Sequence, residues 1–125
     1  MARKILIIDD DIDLVEVLRI VLEGENFEVL DAQNGERGMR MIHKEKPDLI
    51  ILDVMMDTED EGFHVANKLK ADEHTCKIPI VMLTAVSQMT GYRYGKDTDS
   101  LPVEEYLEKP VMPNKIVEVI RKYIS

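Results

Sequence analysis

The chain has 125 residues, 45% of them hydrophobic and 33% charged, with a formal net charge of −9. This length builds one domain, residues 1–125, around one core without disulfides or structural metal, and a single cysteine, Cys76, excludes an internal disulfide and points to a reducing compartment. An acidic chain without a basic stripe repels nucleic acid phosphates, no apolar run is long enough to span a bilayer, and the start MARKILII followed by three aspartates lacks a secretory signal. The expectation is therefore a cytoplasmic protein without direct nucleic-acid or membrane contact.

Lys4 to Ile8 reads as a strand buried on both faces. Asp11 to Asp13 supplies helix N-cap chemistry, and Leu14, Leu18, Val21 and Leu22 follow at helical spacing, with Val15 and Val17 widening the stripe and Gly24 as the stop. Phe27 to Leu30 is a second strand. After the turn Asn34-Gly35 a helix carries Met39, Ile42 and Met41 on its apolar face and ends before Pro47. Leu49 to Leu52 is the most apolar strand and is expected at the centre. A polar loop from Asp57 to Gly62 precedes a helix marked by Phe63, Ala66 and Leu69, and Pro79 to Leu83 is a fourth strand. Residues 88–102 hold two glycines, a proline and several short polar residues, all poor in a helix interior, so an irregular fourth helix region is expected there. A short strand near Tyr106-Leu107 follows. Pro113 opens a last helix with Ile116, Val119, Ile120, Tyr123 and Ile124 on one face.

Five strand-helix units imply a doubly wound parallel α/β sheet. Such sheets carry their functional groups outside the carboxyl ends of the strands. Asp9 and Asp10 close the first strand, Asp53 the third and Thr84 the fourth, and Lys109-Pro110 follows the fifth. Crowded carboxylates repel unless a cation neutralises them. Mg²⁺ takes one or two carboxylates and keeps water and phosphate oxygens. Asp10 and Asp53 are the expected direct ligands, with Asp9 direct or through water and the Met55 carbonyl adding an uncharged oxygen. Asp53 is also a nucleophile able to form an acyl phosphate, with the Lys109 charge and the Thr84 hydroxyl stabilising the transferring group. Alone, each of these residues reads as a cap, strand or turn residue. Their coincidence on successive strand ends favours phosphoryl transfer.

The motifs ILIIDDD, PDLIILDVMM, EGFHVANKLK, IPIVMLTA and YLEKPV resemble the receiver domain of two-component response regulators, from Lys4 to about Ile124. The resemblance implies the flavodoxin-like strand order 2-1-3-4-5, Asp9 and Asp10 as the acidic pair and Asp53 as phosphoacceptor. It also implies Thr84 and Tyr106 as switch hydroxyl and aromatic, Lys109 as the family's lysine, and a cis Lys109-Pro110 bond. Its implied donor is a phosphohistidine on a sensor histidine kinase or phosphotransfer protein, for which small acyl phosphates substitute. No turnover enzyme is implied beyond self-catalysed phosphorylation and dephosphorylation of aspartate. The output target is an unidentified protein, and a homodimer through the last helix or the fourth region is left open, as is a stand-alone, chemotaxis-type role.

The sequence departs from the family pattern in two places. The loop after Asp53 reads DTEDEG, without the usual proline, and the stretch from Val86 to Glu105 is longer than usual. In the family the positions two beyond the phosphoacceptor and two beyond the switch hydroxyl flank the route of attacking water; here they are Met55 and Val86, both apolar, so the resemblance implies a slowly lost phosphoryl group. A haloacid-dehalogenase-type phosphatase is the enzymatic rival, but it needs a further acidic pair after the lysine, where only Glu118 stands. A phosphorylation-independent pseudo-receiver also remains. An EF-hand-like reading of Asp57 to Lys68 lacks its final glutamate, and an FMN site lacks its Ser/Thr-rich loop. His43, His64 and His74 read as surface residues, and the eight methionines as packing.

Overall fold

The computed structural model of the protein describes residues 2–53, 61–85 and 103–124. Five strands, β1 (Lys4–Ile8), β2 (Glu28–Ala32), β3 (Leu49–Asp53), β4 (Ile80–Ala85) and β5 (Glu105–Lys109), form one sheet in the order β2-β1-β3-β4-β5. All four pairings are parallel, so the chain must cross over between strands. The described helices are α1 (Ile12–Gly24), α2 (Gly35–Glu45), α3 (Glu61–Ala71) and α4 (Pro113–Tyr123). This is the expected doubly wound, flavodoxin-like order. The predicted irregular helix region, the acidic loop 57–60, Met55 and Val86 lie outside the described residues.

Alternation along the strands divides the core in two. Ile5, Ile7, Leu49, Ile51, Val81 and Leu83 face α1 and α4, where Leu18, Leu22, Ile116, Val119 and Ile120 cover them. Leu6, Ile8, Ile50, Leu52, Ile80 and Met82 face α2 and α3, where Ile42, Val65, Ala66 and Leu69 cover them. All five residues of β3 are buried, as a central strand requires. Among the described methionines only Met82 is fully buried; Met39 and Met41 are half-buried and Met112 is exposed. The three histidines are exposed. Among the described residues no helix is long and apolar enough to cross a membrane.

Local chemistry sets the element ends and corrects several expected boundaries. Asp11 caps α1 by accepting from the Leu14 N–H at 3.2 Å, and Asn34 caps α2 by accepting from the Arg37 N–H at 2.9 Å. Gly24 is the last residue of α1 rather than its stop; the left-handed turn falls on Asn26, φ 72°, a residue type that tolerates it. Phe27 is not yet in β2, because its N–H returns to the Leu22 carbonyl at 3.1 Å. β2 therefore starts at Glu28. β4 runs on to Ala85 because Thr84 and Ala85 still pair with Glu108 and Lys109. Val17 does not widen the buried stripe. It stands two residues on from Val15, a rotation of about 200° about the helix axis, and is exposed.

Two side-chain ties fasten the margins of the sheet. Arg19 of α1 donates to the Val29 carbonyl of the edge strand β2 at 2.9 Å and pairs with Asp31 at 3.2 Å. At the other margin, Lys70 at the end of α3 donates to the carbonyls of Cys76 and Ile78, both at 3.0 Å, and to Glu104 Oε2 at 2.9 Å. Glu104 Oε1 accepts from the Ile80 N–H at 2.7 Å, and the Glu104 N–H donates to the Ile80 carbonyl at 3.0 Å. One carboxylate thus joins α3, the start of β4 and the approach to β5. Charge-assisted hydrogen bonds of this kind are individually strong. Glu104→Ala is expected to lower unfolding free energy by about 2 kcal/mol, read from urea denaturation at constant m-value.

Candidate functional site

The parallel register brings the predicted residues to one end of the sheet. β1 and β3 lie side by side, so Asp9 and Asp53, each at the carboxyl end of its strand, come together. Asp53 pairs with Leu83, which puts Thr84 one residue further along the neighbouring strand. Lys109 pairs with Ala85 at the end of the outer strand β5. Its ammonium reaches across β4 to Asp53 Oδ1 and Asp9 Oδ2, both at 3.3 Å. The following Lys109-Pro110 bond is cis, as the resemblance implies.

Burial differs among these groups. Asp9, Asp53 and Thr84 are buried, whereas Asp10 is exposed and Lys109 half-buried. Asp9 Oδ1 accepts from the Asp11 N–H at 2.9 Å, which fixes the carboxylate plane. Its Oδ2 is buried, takes no well-directed hydrogen bond, and has the Lys109 ion pair as its counter-charge. Asp9, Asp10 and Asp53 each offer an oxygen within 4.8 Å of the others. Three anionic oxygens, one lacking a directed donor and one open to solvent, fit a hard dication that keeps part of its water shell. Met55, the fourth expected ligand, lies outside the described residues.

Tyr106 pairs with Met82 on β5 and packs against the core that covers α2 and α3. Its hydroxyl oxygen is buried. The simpler reading, a strand aromatic with its hydroxyl in water, is thereby excluded. The phosphatase reading loses its support, since Glu118 is exposed on α4 and pairs with Lys115 at 3.9 Å. The calcium-loop reading fails too, because residues from Glu61 onward are helical where a loop is needed.

One feature lay outside the sequence reading. The large exposed hydrophobic residues among those described are Ile12 (60%), Val17 (46%), Ile20 (68%) and Met112 (67%). The exposure of Ile12, two residues after Asp10, and of Met112, two after Pro110, was not anticipated. Its signal in the sequence was the eight-residue spacing of Ile12 and Ile20, off the Leu18–Leu22 side.

A profile of the response regulator receiver domain matches residues 5–121. The chain belongs to this family. It is 35% identical over 117 residues to the phosphate regulon transcriptional regulatory protein PhoB of Pseudomonas aeruginosa, covering 94% of this chain and 49% of PhoB. It is 34% identical over 121 residues to the DNA-binding response regulator MtrA of Mycobacterium tuberculosis, covering 97% of this chain and 50% of MtrA. The chain spans about half the length of these curated relatives. The chemotaxis response regulator CheY4 of Vibrio cholerae superposes with a TM-score of 0.85 over 99% of this chain and 100% of its own, at 24% identity, and shares the fold. The receiver domain is thus established.

Lys109 has a pKa with opposing causes. Burial of the ammonium lowers it, but the charges of Asp9 and Asp53 together outweigh burial and the pKa is raised. A raised folded value means the contribution to stability is complete below the unfolded pKa, about 10.4, and is lost as pH rises through the folded value. In chelator, Lys109→Met is expected to lower stability by about 1–2 kcal/mol. The gap from wild type should stay flat between about pH 6 and 9 and close only above about pH 10.4, as followed by urea denaturation across that range.

Proposed function

We propose that Asp53 accepts a phosphoryl group from a phosphohistidine on a sensor histidine kinase or phosphotransfer protein, and that the acyl phosphate switches a protein-interaction face. The convergence of Asp9, Asp10, Asp53 and Lys109 on one strand-end pocket carries this reading. Asp53 Oδ attacks phosphorus, a P–O bond forms, and the P–N bond to the donor imidazole breaks. The imidazole nitrogen leaves with the electron pair. Asp9, Asp10 and Asp53, with the Met55 carbonyl, would hold Mg²⁺. When bound, the ion supplies charge neutralisation on the phosphoryl oxygens. Lys109, whose ammonium already lies against Asp53 and Asp9, would stabilise the charge on the same oxygens. Thr84, buried beside Asp53's neighbour on β4, is the hydrogen-bond donor to the new phosphoryl group. Its inward shift would let Tyr106 re-pack, a population shift between two arrangements.

This domain, residues 1–125, carries its product on its own carboxylate and is not a turnover enzyme in this reading. A cytoplasmic place of action fits its proposed donor. The transcriptional and DNA-binding functions named for PhoB and MtrA belong to proteins about twice as long. A domain of net charge −9 repels nucleic acid, so protein partners are proposed for this stretch, a second copy of the chain among them.

Intact mass after incubation with acetyl phosphate and Mg²⁺ should show one phosphoryl adduct, absent in Asp53→Asn and in chelator. No adduct on folded, Mg²⁺-binding protein would move the reading to a pseudo-receiver. The exposed Ile12, Val17 and Ile20 of α1, the helix that follows the acidic pair in the chain, are proposed to contact the protein donor. Ile20→Asp is expected to slow transfer from a phosphohistidine protein about tenfold or more. Its rate with acetyl phosphate should match wild type, as measured by time courses with both donors.

A further inference from the structure

Gly38 stands within helix α2, where glycine is less favourable than alanine because the backbone loses more freedom. Its neighbour across the layer explains the choice. A Cβ built on Gly38 would meet Ile8 Cδ1 at 2.5 Å, Cγ1 at 2.9 Å and Cγ2 at 3.3 Å. Contacts come from both branches of the isoleucine, so rotation about χ1 exchanges one close carbon for another. Two of the three contacts are to γ carbons, which χ2 rotation does not move. Ile8 is fully buried and held between Ala32 of β2 and Leu52 of β3. The helix is fixed as well, because the Gly38 N–H bonds to the Asn34 carbonyl at 2.9 Å in a first turn capped by Asn34 itself.

Ile8 is the last residue of β1, and Asp9 and Asp10 follow it directly. The Asp9 N–H donates to the Ala32 carbonyl at 3.0 Å, and Asp9 Oδ1 accepts from Asp11, which caps α1. Displacement at Ile8 is therefore passed to both members of the acidic pair. We propose that Gly38 is a positioning residue for the cation pocket: by omitting a side chain it lets α2 close on Ile8, and the depth of that contact sets where Asp9 and Asp10 stand. The inference rests on the proposed Mg²⁺ site and adds a determinant of its geometry from a helix that contributes no ligand. Groups that only orient metal ligands commonly change affinity by about 10–100-fold when altered.

Calorimetric Mg²⁺ titration of wild type, Gly38→Ala, Ile8→Val and the double variant, each melted in chelator, tests this. Gly38→Ala should raise the Mg²⁺ dissociation constant about tenfold. Ile8→Val alone should stay within about twofold of wild type, because it removes one methyl without a new contact. The double variant loses the 2.5 Å contact but keeps those from the two γ carbons, and should bind about threefold more weakly than wild type. A folded Gly38→Ala protein with a lowered melting temperature and wild-type affinity would overturn the proposal, leaving packing alone. If Gly38→Ala does not fold, equal affinity in Ile8→Val and the double variant overturns it. Absence of Mg²⁺ binding in wild type would instead overturn the metal site itself, and this inference with it.

Discussion

Carboxylate repulsion is the constraint on which the rest of the molecule turns. Three acids share one strand-end pocket with oxygens within 4.8 Å of one another. Such a cluster opposes folding unless positive charge is brought to it. Lys109 supplies this charge from the far margin of the sheet, shared between Asp9 and Asp53. The arrangement needs β1, β3 and β5 in fixed register, and the two apolar layers hold that register. The pocket's electrostatic strain is thus balanced by hydrophobic burial elsewhere. The same strain makes the pocket responsive: any cation or phosphoryl group entering it must re-divide the attention of Lys109.

The two faces of the sheet have separate tasks. α1 and α4 cover one layer, and α1 leaves Ile12, Val17 and Ile20 exposed. α2 and α3 cover the other, where Tyr106 packs with Met82 and where Gly38 meets Ile8. Asp53 ends the central strand β3, where its carboxylate meets Lys109 of β5 and lies close to the acidic pair that follows β1.

Much of this was legible in the chain. Runs such as KILII and LIIL, each closed by aspartate, locate buried parallel strands and their functional ends together, because only the end of such a strand can hold a charge. Pro113 at the first position of α4 and Asp11 and Asn34 as caps were equally readable, since capping depends on neighbours in sequence. Long-range decisions were not readable. Phe27 looked like a strand residue because its burial, not its hydrogen bonding, is what its side chain announces. Val17 looked like core because apolar type does not tell which side of a helix meets the sheet. The Lys70–Glu104 tie joins residues 34 apart in sequence, and no local pattern reports it. The convergence of Lys109 on Asp9 as well as Asp53 depends on strand order, which the run of motifs implied only through family resemblance.

The Arg19 tie on β2 bears on how the free protein behaves in a crowded solution. An open sheet has two borders, and each offers unsatisfied backbone groups to any passing extended chain. At the β2 border the Val29 carbonyl is already engaged by the Arg19 guanidinium, and Glu28 and Asp31 place exposed charge along the same strand. An incoming strand would have to displace a cation and set its own backbone beside two acids. The border is thereby guarded against strand-to-strand stacking of copies of the chain, and loss of Arg19 would be felt first as poorer solubility.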